Sequence, residues 1–217
     1  MKIIHYYLCA SLLFMASCSK NSQKPASQQI NSDLVSEVEN LGAKVSAQKL
    51  SYQLLNPDEK LALWQNQLDY YLSSDLNESQ KDALRTLKAG IKREMFTQTH
   101  ITDKSYDAFA QAWYNSATKV FAKNVLNTIV SQIHTKEFAL DYVSAINAAN
   151  SGASSQLVIN SLTPMNEKPK ACTCSTGSDY CSQFYQCSST FFKCESSSMG
   201  CGFMLLYSCD GTCVSGA

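Results

Sequence analysis

Residues 171–217 read A-C-T-C-S-T-G-S-D-Y-C-S-Q-F-Y-Q-C-S-S-T-F-F-K-C-E-S-S-S-M-G-C-G-F-M-L-L-Y-S-C-D-G-T-C-V-S-G-A. They hold eight of the chain's 10 cysteines: Cys172, Cys174, Cys181, Cys187, Cys194, Cys201, Cys209 and Cys213. The spacing is C-x-C-x6-C-x5-C-x6-C-x6-C-x7-C-x3-C. Two chemistries compete for such a set. Zinc sites present C-x2-C or C-x4-C pairs, often with histidine; this tail has neither a C-x2-C nor a histidine. Redox catalysis calls for C-x-x-C with one depressed thiol, and that spacing is also absent. Disulfides remain. Forty-seven residues cannot bury enough apolar surface to fold by themselves. Four bridges, each typically worth about 2–5 kcal/mol, supply what burial does not. Eight cysteines permit 105 connectivities, and spacing does not choose among them. Cys172 and Cys174 are expected to take different partners, because a bridge across one residue is strained.

Between its cysteines the tail is rich in serine, threonine and aromatic residues, with only Asp179, Lys193, Glu195 and Asp210 charged. Phe184, Tyr185, Phe191, Phe192 and the run Phe203, Met204, Leu205, Leu206, Tyr207 are more apolar surface than so short a segment easily hides. One reading is an exposed face for a membrane or a partner. The other is a core strand, for Phe203 to Tyr207 especially, packed beneath the bridges or against the preceding segment. Both stay open at this stage.

The compartment follows from the other end of the chain. Lys2 is a short positive start, Ile3 to Met15 an apolar stretch, and Ala16 and Ser17 small residues leading into Cys18. The stretch is shorter than the ~20 apolar residues of a permanent span and has the length of a signal peptide. Small-small-Cys resembles the lipobox of bacterial lipoproteins, with Met15 where leucine is usual. The resemblance implies export, removal of residues 1–17 with Cys9 among them, and acylation of Cys18. Buried methylenes contribute about 0.8 kcal/mol each, so two or more chains anchor firmly. Residues 18–30 are polar and read as a flexible tether. An exported chain meets oxidising conditions, where thiols pair.

Residues 31–150 read as helical. They contain two glycines, Gly42 and Gly90, and one proline, Pro57. Leu34, Val38, Leu41 and Val45 repeat at helical spacing. Asn56-Pro57-Asp58-Glu59 is a helix start: a capping side chain, proline in the first turn and two carboxylates against the dipole. Leu61, Trp64, Leu68 and Leu72 follow on one face. Asn77 with Gln80 is a capping box, ahead of a stripe of Leu84, Leu87, Ile91 and Met95. Thr102-Asp103 starts a further helix carrying Tyr106, Phe109, Ala110, Trp113, Ala117 and Val120. The pattern continues, with a bend near Asn124, through Leu126, Ile129, Val130 and Ile133. Phe138, Tyr142, Val143 and Ile146 mark the last helix. The fold class is therefore mainly α: a small bundle of four to six helices, a linker over 151–170, and a small disulfide-rich, loop-rich C-terminal domain over 171–217.

The bundle offers no catalytic constellation. His100 and His134 stand alone and read as surface or capping residues. Asp58, Glu59, Asp103 and Asp107 sit at helix starts and read as dipole partners. Trp64 and Trp113 lie on apolar stripes and read as core. There is no G-x-S-x-G and no phosphate loop. With 18 basic and 18 acidic residues, nothing favours a nucleic-acid partner. The chain reads as a non-enzyme without cofactor or metal.

The string C-T-C-S-T-G-S-D-Y-C, Cys172 to Cys181, fixes non-cysteine positions as well as cysteines. With the cysteines that follow, it resembles the bacteriocin fulvocin C-related family. The likeness covers the tail, and the lipobox, helical middle and cysteine tail together are similar to longer members of that group. It implies an antibacterial, disulfide-bonded, secreted peptide acting on a target-cell membrane or surface protein, and it implies no catalytic residues. One departure stands out: no Gly-Gly cleavage signal precedes Ala171. The alternative is a non-toxic, lipid-anchored module whose tail recognises protein or glycan.

Overall fold

The computed structural model describes residues 29–42, 44–97, 104–150, 172–178, 181, 185–189, 194 and 196–215. Cys18, Phe184, Phe191 and Phe192, and the helix start at Thr102-Asp103, lie outside these residues. Among the described residues, seven α-helices precede two short sheets: α1 (Ser32–Asn40), α2 (Val45–Leu54), α3 (Pro57–Leu72), α4 (Glu78–Gly90), α5 (Lys104–Ala117), α6 (Lys123–Ser131) and α7 (Lys136–Asn150). The strands are β1 (Tyr185–Ser188), β2 (Ser197–Cys201), β3 (Tyr207–Cys209) and β4 (Thr212–Ser215). No described helix is long and apolar enough to cross a membrane.

Local chemistry sets the helix starts. Asn56 accepts from the Asp58 and Glu59 amides while the Glu59 carboxylate returns to the Asn56 amide at 2.8 Å, and Pro57 opens the helix. The second Glu59 oxygen takes the Asn31 amide at 3.1 Å, so one buried carboxylate ties the start of α1 to the start of α3. Asn77 and Gln80 form the matching box on α4, and the Gln80 amide group also donates to the Val120 carbonyl.

The helices are more numerous and shorter than the periodicity predicts. The Leu34–Val45 pattern is cut at Gly42, whose φ of +36° ends α1 in the left-handed region that glycine tolerates. The stripe expected through Met95 leaves α4 after Gly90. A Cβ on Gly90 would lie 2.0 Å from Phe109 Cζ, so glycine is what lets α5 close on α4. Ile91 then turns extended, and a 3-10 turn, Arg93–Phe96, buries Met95 and Phe96 under α3. The Asp58–Arg93 pair at 3.0 Å, mostly shielded from water, holds that turn. The expected bend near Asn124 is a break: the chain is non-helical over 118–122, which buries Phe121 and starts α6 afresh.

One apolar cluster fills the interior. Tyr52, Leu63, Trp64, Leu68, Tyr71, Leu84, Leu87, Trp113, Leu126 and Ile129 are all essentially without solvent contact. The same cluster includes Phe203, Met204, Leu205 and Leu206 from the tail.

His134 corrects an expectation. It is buried, not on the surface. Its amide donates to the Gln67 side chain, which in turn donates to the His134 carbonyl. Its ring stacks on Phe138 at 4.1 Å and places Nε2 3.2 Å from the Thr128 carbonyl. Burial pushes the imidazole pKa down to about 4. The folded pKa lies below the unfolded value of about 6.5, so the unfolded chain binds the proton more readily. Stability is complete above pH 6.5 and falls as pH drops toward 4, by about 3 kcal/mol from this residue. Denaturant titrations at pH 7.5 and pH 4 measure the loss, and His134→Gln should flatten it. An undiminished slope in that variant would assign the loss to carboxylates instead.

Candidate functional site

The tail is a covalent frame of its own. Cys172 joins Cys194, Cys174 joins Cys187, Cys181 joins Cys213 and Cys201 joins Cys209. Cys172 and Cys174 thus take different partners, as the strain argument requires. Backbone pairing explains the pattern. β1 and β4 run antiparallel with Cys187 opposite Cys213, and Cys174 bridges to Gly211 beside them. The Thr173 and Cys174 amides donate to the Gly211 carbonyl, and the Asp210 and Gly211 amides to the Cys174 carbonyl. Cys187 and Cys213 therefore face each other but bond to cysteines on either side. The sulfurs of Cys174, Cys181 and Cys213 lie within 4.8 Å of one another. All three belong to disulfides, so none offers the thiolate that a metal requires.

Four bridges in one segment belong to an oxidising compartment rather than the cytosol. Asp210 adds a polar staple. Its carboxylate takes the Thr176 amide at 2.6 Å and the Thr176 hydroxyl at 2.7 Å.

β2 and β3 pair with a register shift, and Cys201–Cys209 closes the loop between them. The loop holds the apolar run. Gly202 (φ +67°) starts it; a Cβ there would strike Ser178, whose hydroxyl instead accepts from the Phe203 amide at 3.1 Å. At Gly200 a Cβ would lie 1.8 Å from the Leu205 carbonyl oxygen. Met204 (φ +49°) and Leu205 (φ +58°) follow in the left-handed region, at a cost of about 1–2 kcal/mol for each L-residue. Residues 203–205 form a tight turn, closed by the Leu205 and Leu206 amides on the Gly202 and Phe203 carbonyls, not the strand the core reading expects.

The surroundings explain the conformation. Phe203 and Met204 have no solvent exposure, and Leu205 and Leu206 are buried. The exposed-face reading is therefore corrected for Phe203, Met204, Leu205 and Leu206: their apolar partner is the bundle. Phe203 meets the Trp113 ring at 6.0 Å, centroid to centroid. The Trp64 indole donates to the Tyr52 hydroxyl at 3.0 Å, and that hydroxyl donates to the Met204 carbonyl at 3.1 Å. The Tyr207 hydroxyl donates to Asp107 at 2.6 Å, giving Asp107 a role besides the helix dipole. Asn127 donates to the Cys181 carbonyl at 2.6 Å. Burial drives the Tyr52 and Tyr207 hydroxyls well above the ordinary phenol range, and Asp107 adds to the effect on Tyr207. Both stay protonated donors at physiological pH. Lys49 Nζ lies 4.0 Å from Cys201 Sγ, and burial lowers its pKa.

Tyr185 is 36% exposed on β1, the most exposed of the described tail aromatics, while Tyr207 is partly buried. The bundle–tail junction leaves a cleft of about 60 Å³ edged by Lys49, Ser131, Thr173, Ser178, Cys201 and Leu205. A larger one, about 270 Å³ between α4 and α5, is lined by Ala83, Thr86, Phe109, Trp113 and Ser116. Neither lining pairs an acid with a nucleophile.

Sequence reasoning missed Tyr52, Asn127 and Asp107 as tail-binding residues. The available signal is weak: Tyr52 lies between Val45 and Asn56, where no stripe is read, and Asn127 is a polar residue within the stripe over 126–133. The class defined by fold and site is a helical bundle that carries a disulfide-stapled tail in its own core. Compared with family models, with curated proteins and with solved structures, the chain gives no match.

Proposed function

We propose that the chain is a bacteriocin-like envelope lipoprotein, anchored through Cys18, whose stapled tail is antibacterial or membrane-interacting once it leaves the bundle. The observation that carries this reading is the bundle's cover over Phe203 to Leu206: a frame that closes on itself presents four large apolar side chains at one tip, and the helices hide them. The likeness of Cys172 to Cys181 to the fulvocin C-related family supports the antibacterial part. Glu59 holds Asn31 beside Asn56, so the end where the tether arrives adjoins the α2–α3 turn, where Ile30 and Leu54 are exposed. Neither catalysis nor a cofactor enters this reading.

The test uses full-length protein with a protease site placed within 151–170, a segment whose two prolines and polar residues suit an exposed connection. After cutting, the pieces are parted in denaturant without reductant, and the oxidised tail is returned to buffer. It should inhibit growth of some strains in a broad bacterial panel, or leak vesicles of phosphatidylethanolamine and phosphatidylglycerol. The uncut chain should do neither. A tail inert on all strains and vesicles sinks the proposal.

The shared core favours a second reading, a non-toxic binding module whose tail stays attached and recognises protein or glycan. Immunoblots of producing cells separate the two, since only a released tail fits diffusible killing.

A further inference from the structure

Every bridge in the tail joins two tail cysteines. Nothing covalent links the described tail to the helices except the peptide chain through 151–171. What holds the tail in place is otherwise an interface, and it has the make-up of a recognition surface. Phe203 is an aromatic anchor against Trp113. Around it, Tyr52 reads the Met204 carbonyl, Asn127 reads the Cys181 carbonyl, and Asp107 reads the Tyr207 hydroxyl. Buried aromatic anchors ringed by satisfied polar contacts dominate the energetics of association. The bound tip, moreover, has two consecutive non-glycine residues in the left-handed region. Such a conformation persists only where the surroundings over-determine it. Within the tail, Gly202 and the Ser178 hydroxyl set up the turn; the Tyr52 hydroxyl on the Met204 carbonyl comes from the bundle.

We propose that the groove formed by α2, α5 and α6 is a binding site for residues 201–207 as a separable ligand, and that it imposes the left-handed turn at Met204 and Leu205. A chain cut between bundle and tail stays together as a two-piece complex. The groove of one copy accepts the tail of another, so the bundle can recapture a free tail. Outside the groove the turn relaxes and its apolar side chains meet water. This deepens the proposed function by naming what restrains the tail, while the binding itself does not depend on whether the tail kills.

The experiment starts from the full chain carrying a protease site within 151–170, cut to completion with the bridges intact. Native mass spectrometry and gel filtration at micromolar concentration should find one species containing both pieces. When cut protein is mixed with isotopically labelled cut protein, the tails should exchange between bundles. Tyr52→Phe and Asn127→Ala each remove one hydrogen bond to the tail, besides one within the bundle, and should raise the dissociation constant about fivefold, with the helical circular dichroism unchanged. In NMR spectra the Met204 and Leu205 backbone shifts should leave left-handed values when the tail is free. Prompt separation of the pieces beside an intact helical bundle overturns the proposal. So does collapse of the bundle on cutting, or an unaltered dissociation constant in both variants. Inert tails that still bind would sink the antibacterial reading alone, and active tails that never bind would sink this one alone.

Discussion

Phe203→Ala is expected to destabilise the helices, although residue 203 lies in the tail. The ring is fully buried, touches Trp113 and belongs to the cluster that Trp64, Leu68 and Leu126 form. Removing a buried phenylalanine side chain typically costs about 3–5 kcal/mol, from lost transfer energy plus the cavity left behind. The site has little freedom to collapse. The Cys201–Cys209 bridge closes the loop, and the Phe203 amide is held by Ser178. Urea unfolding followed at 222 nm, where the helices dominate the signal, should show the unfolding free energy fall by most of that amount and the midpoint shift down with it. Tyr185→Ala, at a side chain already 36% exposed, should move it little. A helical midpoint unmoved by Phe203→Ala would mean that tail and bundle fold independently, which the shared core forbids.

The second large effect concerns the bridges and has a rank order. Cys181–Cys213 closes 32 residues of separation and Cys201–Cys209 closes 8. In the chain-entropy account, the longer loop removes more freedom from the unfolded state. The expected losses are about 4 kcal/mol for Cys181→Ser with Cys213→Ser and about 2.5 kcal/mol for Cys201→Ser with Cys209→Ser. Geometry widens the gap. Cys181 also places the carbonyl that Asn127 holds, and Cys213 lies in the β1–β4 register. Thermal unfolding of the two double variants, with the remaining bridges confirmed by mass spectrometry, measures the order. The reverse order would show that the short clamp at the buried tip, and not the long closure, carries the tail.

What could be read from the sequence was local or compositional. Asn56-Pro57-Asp58-Glu59 and Asn77 with Gln80 announce helix starts because a cap is satisfied within three residues. Eight cysteines without a C-x2-C announce oxidation. Pairing was not legible, since it rests on Cys174 meeting Gly211 and β1 meeting β4, contacts far apart in sequence. The breaks at Gly42 and Gly90 were hidden by apolar spacing that runs through them. At Gly90 the glycine answers to Phe109 on another helix, a contact that spacing along the chain does not show. His134 read as a surface residue because its partner Gln67 stands 67 positions away. The apolarity of Phe203 to Tyr207 was plain, but its destination was not. The groove exists only after Tyr52, Trp113 and Leu126 converge from three helices.

Amide hydrogen exchange on the oxidised full chain tests the docked tail most directly. The Leu205 and Leu206 amides donate to the Gly202 and Phe203 carbonyls at 3.2 and 3.0 Å, in a turn with almost no solvent contact. They should exchange as slowly as the buried amides of α6, and a reductant that opens the bridges should abolish that protection. Rapid exchange at Leu205 and Leu206 beside a well-protected α6 would contradict a tail seated in the bundle.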